Sequence, residues 1–137
     1  MSVPISAHQE TGGMLYFSRM IDKIRKHSKG ELRDDFCENL GKGFDGRCAD
    51  FLRVRYDDLL AEVAKGKADV ELLTWCYETG RRLNDGDIFV WNQYITRVGW
   101  RDQTSEILER RKRESGLSHR EDILTMIDYF DADEGRE

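Results

Sequence analysis

Long apolar runs, paired cysteines, clustered histidines and proline are all scarce in this chain of 137 residues, and the shortages remove classes of protein. No stretch approaches the roughly 20 apolar residues that span a bilayer, so no membrane helix is expected. Cys37, Cys48 and Cys76 are odd in number and lack Cys-x-x-Cys spacing. That argues against a disulfide framework and for a reducing compartment. As nucleophiles they would need a base that sequence cannot place, and on apolar stripes they read better as small buried hydrophobes. His8, His27 and His119 form no His-x-x-x-His or Glu-x-x-His pair, so a metal site lacks its usual ligand density. The one proline lies in the segment Met1 to Gly13, which has no basic region followed by an apolar run. Neither a secretory signal nor an anchor is expected there, and the chain reads as cytoplasmic, with no membrane partner.

Charge is plentiful but balanced towards acid. Charged residues make up 36% of the chain against 39% hydrophobic, and the net charge is -5. Sequence-independent binding to nucleic acid, which depends on Lys and Arg neutralising phosphates, is a poor default for such a chain. The charged share exceeds the usual quarter or so and suits helices with one wet face.

What is present is glycine at the ends of amphipathic stretches. Gly30, Gly66, Gly80, Gly99 and Gly116 each close a helix-favouring segment, where a left-handed residue ends a helix without steric cost. Helix 1 is predicted near Tyr16 to Lys29, with Phe17, Met20, Ile21 and Ile24 on one face. Arg19, Lys23, Arg25, Lys26 and Lys29 crowd the other, read as a solvated face or, less simply, an anion-binding one. Leu32 to Leu40 predicts a short helix. Gly41 to Gly46 reads as a turn rather than a phosphate cradle, with Asp45 as the next N-cap. Asp57, Asp69 and Asp85 are expected to open three further helices.

The strongest helix is predicted from Asp87 to Val98, with Ile88, Trp91, Ile95 and Val98 at helical period and Asn92 on the same face. Gly99 and Trp100 suggest a Schellman ending with the indole over Ile95, and Asp102 a cap for a helix from Gln103 to Ser115. There Glu106 can pair with Arg110 and Glu109 with Arg113. The basic run Arg110 to Arg113 is offset by neighbouring acids and reads as solvated. Ser118 and Glu121 predict a capping box for a last helix through Phe130.

The stretches Gly12 to Arg25, Leu40 to Asp45 and above all Trp91 to Asp102 together resemble the bacterial family catalogued as domain of unknown function 5069. The resemblance spans roughly Gly12 to Ser115 and implies a small helical protein. It implies no activity, cofactor or catalytic residue.

The expected fold is therefore all-α, a compact single-domain bundle of about six or seven short helices over residues 14–130. A flexible arm (1–13) and an acidic disordered tail (131–137) would flank it. No metal, cofactor or catalytic residue is assigned. The expected function is that of a non-catalytic binding module for a protein partner or a small anionic ligand, with Trp91, Asn92, Trp100, Arg101 and Asp102 as its contacts. A guanidinium held near indoles and an amide can receive a carboxylate or phosphate through paired hydrogen bonds. The alternative is that these residues are architecture. Two other readings stand behind it: a small enzyme with a polar pocket near Trp91, Asn92 and Arg101, and a nucleic-acid binder.

Overall fold

In the computed structural model, which describes residues 1–136, the first ordered element is one that sequence periodicity misses. Strands β1 (Glu10–Thr11) and β2 (Met14–Leu15) pair antiparallel. Gly12 and Gly13, both at positive φ, form the two-residue turn between them. Glycine pairs favour such a turn because both central residues must be left-handed. Two-residue strands are too short to show alternation.

Eight helices follow among the described residues: α1 (Phe17–Ser28), α2 (Asp34–Cys37), α3 (Phe44–Leu52), α4 (Tyr56–Val63), α5 (Asp69–Thr79), α6 (Asp85–Ile95), α7 (Ser105–Glu114) and α8 (Met126–Asp133). The protein is thus mainly helical, with a small hairpin and one helix more than the six or seven expected. None of these helices is long and apolar enough to cross a membrane.

The chain divides into two compact units, Met1–Ile88 and Phe89–Glu137, the boundary falling inside α6. In the first unit α1 packs on β1 and α4, and α5 on α4 and β1. Phe17, Met20, Ile21, Leu52, Leu59 and Leu72 are fully buried there. In the second, α7 packs on α8, and Trp91, Ile95, Val98, Leu108, Met126 and Ile127 are buried.

The N-terminal segment, expected as a flexible arm, is hydrogen-bonded along its length. Ser2 exchanges backbone hydrogen bonds with Glu31 and Arg33 around a bridge to Leu32. Polar side chains of α1 complete the attachment. Arg19 donates to the Ile5 carbonyl at 3.1 Å, Lys26 to the Val3 carbonyl at 2.8 Å, and Asp22 accepts from Ile5 N–H at 2.9 Å. The face of α1 read as solvated is therefore largely engaged: Arg19 is 1% exposed and Lys23 7%. Five cations on one helix suggest water, but long aliphatic stems bury readily when the charged end finds an acceptor.

Several helix starts differ from expectation, and at α6 a pair that exchanges two hydrogen bonds takes the cap from a nearer acid. Asn84 and Asp87 cap α6 reciprocally, each side chain accepting from the other's backbone N–H, rather than Asp85 doing so alone. Thr125 and Asp128 do the same for α8, in place of Ser118 and Glu121. Asp69, expected to cap α5, pairs instead with Arg25. At the other end α8 runs to Asp133, inside the expected tail, and Arg136 pairs with Asp131 and Glu134. Glu137 lies outside the described residues.

Candidate functional site

The turn from α6 into α7 is closed by a ring of hydrogen bonds. Asp102 Oδ2 accepts from Gly99 N–H at 2.9 Å and Oδ1 from Thr104 N–H at 2.8 Å. Its own N–H donates to Ser105 Oγ at 3.0 Å, and that hydroxyl donates to the Gly99 carbonyl at 2.9 Å. Gly99 has φ +100°, and a Cβ there would stand 3.0 Å from Met126 N, which donates to the Val98 carbonyl at 2.8 Å. Only glycine allows the start of α8 to lie so close.

This ring displaces the Schellman ending predicted for α6. The Gly99 N–H is taken by the Asp102 carboxylate rather than by a helix carbonyl, and the Trp100 N–H donates to the Arg97 carbonyl at 3.0 Å instead of reaching back to Ile95. Trp100 is instead 49% exposed. Arg101, at φ +52°, lays its guanidinium over the Trp100 ring at 5.2 Å from the centroid. A non-glycine residue in the left-handed region is uncommon and is held there by its surroundings.

Of the five predicted contacts, Trp100, Arg101 and Asp102 are thus assembled at one turn. Asp102 is its architecture, and Trp100 and Arg101 face solvent. Trp91 is buried, with its ring 5.7 Å from that of Tyr94, and serves the core. Asn92 is half-buried on α6, and its backbone carbonyl accepts from the Thr96 hydroxyl at 2.7 Å.

A second polar constellation lies in the first unit and escapes sequence reasoning. Asp45, expected as the N-cap of this helix, falls inside the first turn of α3 and is completely buried. Tyr16 OH donates to its Oδ1 at 2.7 Å, Lys23 Nζ lies 2.9 Å from the same oxygen, and Gly41 N–H donates to Oδ2 at 3.2 Å. Tyr16 itself has φ +75° at the entrance to α1.

The surroundings keep the neutral groups neutral. Burial, then the Asp45 charge, pushes the Tyr16 phenol well above its ordinary value, and the same two causes raise the Cys48 thiol. Burial raises the Cys76 thiol to about 12. A thiol so held is no nucleophile at neutral pH. Tyr56, whose ring would meet a Cβ at Gly41 at 2.9 Å, has a buried hydroxyl with no hydrogen-bond partner among the described residues. Its ionisation is likewise pushed up by burial and by Asp45.

Three donors converge on one carboxylate, and water reaches none of the three side chains appreciably. Such a cluster can fix α1 against α3 but offers no face to a substrate. All three residues lie within the family-like stretches Gly12 to Arg25 and Leu40 to Asp45. That was the available signal, since neither periodicity nor spacing marks Tyr16, Lys23 and Asp45 as partners.

No curated protein matches the chain. A family model does, over residues 1–136, essentially the whole length, and on that match the chain belongs to the family described as Domain of unknown function (DUF5069).

Proposed function

We propose that the protein is a non-catalytic binding module that takes a carboxylate or phosphate, carried by a protein partner or a small anion, at the Trp100–Arg101 corner. The observation that carries this reading is a half-exposed indole bearing a guanidinium on a backbone locked by Asp102, Ser105 and Gly99. Among the described residues no acceptor engages the Arg101 side chain, so its five N–H donors face water. Stacking on the indole orients them, and a planar fork matches a carboxylate or phosphate through two parallel hydrogen bonds.

Catalysis finds less support. Tyr16, Cys48 and Cys76, with ionisation displaced upward by burial, are sealed in the interior of the first unit, and half-buried Tyr56 is pushed up in the same direction and so stays a neutral phenol. The three free thiols suit a reducing, cytoplasmic setting.

The test is a titration with citrate, inorganic phosphate and a hexaglutamate peptide, followed by indole and guanidinium NMR signals. A saturable shift at the Trp100 indole N–H and the Arg101 Nε–H is expected. Arg101→Ala should weaken it about 10-fold or more, the usual consequence of losing a charge-assisted hydrogen bond, with melting unchanged. Shifts that survive in Arg101→Ala, or no saturable shift with any probe, would sink the reading. Salt-sensitive retention on a polyanion column that Arg101→Ala leaves intact would point to a nucleic-acid surface elsewhere.

A further inference from the structure

In a chain with 27 acidic residues among 137, residues 89–101 of the second unit hold none, and they hold two arginines, Arg97 and Arg101. Within this stretch Trp91, Ile95 and Val98 are buried. On the other side Val90, Tyr94 and Arg97, four and three residues apart and all exposed, form one stripe about 10 Å long, with Phe89 beside it and Trp100 and Arg101 just past its end. Phe89 is 63% exposed and Val90 60%. Single apolar side chains at a surface are ordinary, but here two of them share one helix side with two further exposed rings and two cations.

The positive charge on this side is uncompensated. Arg97 donates to the side-chain carbonyl of Gln93, a neutral group, and among the described residues neither Arg97 nor Arg101 takes part in an ion pair. Nor does the negative end of the helix oppose an anion there, because the Val98 carbonyl accepts from Met126 N–H and the Gly99 carbonyl from the Ser105 hydroxyl. An occupant therefore meets apolar surface at one end and positive charge at the other. Single-stranded nucleic acid would need bare ring faces on which bases stack. The Trp100 face already bears the Arg101 guanidinium, and the Tyr94 ring lies tilted against Trp91 at 5.7 Å, which leaves ring edges and aliphatic surface that suit aliphatic side chains.

We infer that this side of α6 docks an acidic amphipathic helix of a protein partner, whose apolar stripe covers Phe89 and Val90 and whose carboxylates meet Arg97 and Arg101. The inference rests on the reading of the Trp100–Arg101 corner as an anion site and names what carries the anion. Side chains at i, i+4 and i+7 form the ridge against which a second helix packs, and that helix must offer apolar residues at the same spacing with acids at the end lying over the corner. Neither part suffices alone. Exposed ion pairs contribute little in water and are screened by salt, whereas apolar burial is not screened and carries no preference for charge.

Calorimetric titration of the whole chain with designed peptides tests this. The probe repeats the heptad Leu-Glu-Glu-Leu-Leu-Glu-Gln; one control shuffles the same residues so that no helix face is apolar, and a second replaces every Glu with Lys. The probe should bind saturably, and each control at least about 10-fold more weakly, the value of a lost apolar contact or charge-assisted hydrogen bond. Phe89→Gln/Val90→Gln keeps good helix formers at exposed positions, so it should retain native circular dichroism and weaken the probe about 10-fold or more. Arg97→Glu should weaken the probe and strengthen the Lys peptide. A shuffled or Lys peptide that binds as well as the probe overturns the inference, as does a Phe89→Gln/Val90→Gln chain that binds it like the parent. Tighter binding of an oligothymidylate than of the probe overturns it in favour of nucleic acid. Hexaglutamate shifts at Trp100 and Arg101 together with a probe that binds no better than hexaglutamate overturn this inference and leave the corner reading standing; no saturable binding of either up to about 1 mM overturns both.

Discussion

Replacing Asp45 with alanine removes the acceptor of three donors at once: the Tyr16 hydroxyl, the Lys23 ammonium and the Gly41 N–H. Lys23 and Asp45 have side chains only 8% and 0% exposed, so the ammonium left behind can regain little hydration. Breaking such a pair from one side costs about 3–5 kcal/mol, a large part of the 5–15 kcal/mol that holds a typical domain together. With a urea slope of about 2 kcal/mol per M, the unfolding midpoint should fall by roughly 2 M. Lys23→Met should cost less, because Tyr16 and Gly41 still donate to the carboxylate. The double variant Lys23→Met/Asp45→Ala, which leaves no charge buried at this point, should be more stable than the two single losses summed. The coupling should lie at about 1–3 kcal/mol. Urea titration by far-UV circular dichroism, with slopes compared, measures all four corners of the cycle. An Asp45→Ala protein within about 0.5 kcal/mol of the parent, or a coupling near zero, would refute the reading of this cluster as the tie between α1 and α3.

Two glycines should respond oppositely to alanine. At Gly80 a Cβ would lie 2.0 Å from the Leu52 carbonyl oxygen, so Gly80→Ala must shift backbone and should lower the urea midpoint by the equivalent of more than about 1 kcal/mol. At Gly86, inside α6 with only the Asn84 side chain at 3.3 Å, alanine should be neutral or stabilising by up to about 1 kcal/mol; equal effects would contradict the geometry. In alkali the buried thiols and phenols favour the folded state in their neutral forms. The unfolded chain therefore loses those protons first, and stability should hold below the ordinary thiol value of 9.0 and decline as pH rises towards about 12, where Cys76 titrates in the folded state. Tyr16 and Cys48 act in the same direction, and a urea midpoint flat from about pH 8 to 11 would show that burial does not hold these groups neutral.

Helix content, the positions of most helices and the Gly99 corner were legible in the sequence. Each depends on contacts within a few residues: apolar side chains at helical spacing, or a glycine that alone tolerates positive φ. Trp100, Arg101 and Asp102 could be placed together because they are consecutive at such a corner. Their division of labour could not. Whether an indole turns inward or outward depends on where the Gly99 N–H finds its acceptor, and on Met126 arriving from far along the chain. The same limit hid the Tyr16–Lys23–Asp45 cluster. Lys23 carries the pattern of a wet helix face and Asp45 that of an N-cap, and local preference is all that spacing reports. Long-range packing brings α3 against α1, and in that interior a carboxylate becomes worth more as the partner of a buried ammonium than as the cap of its own helix. The sequence alone determined which segments are helical, because helix formation is decided over a turn or two. The tertiary structure decided which charges are buried, because the cost of burying one depends on partners that the chain supplies from elsewhere.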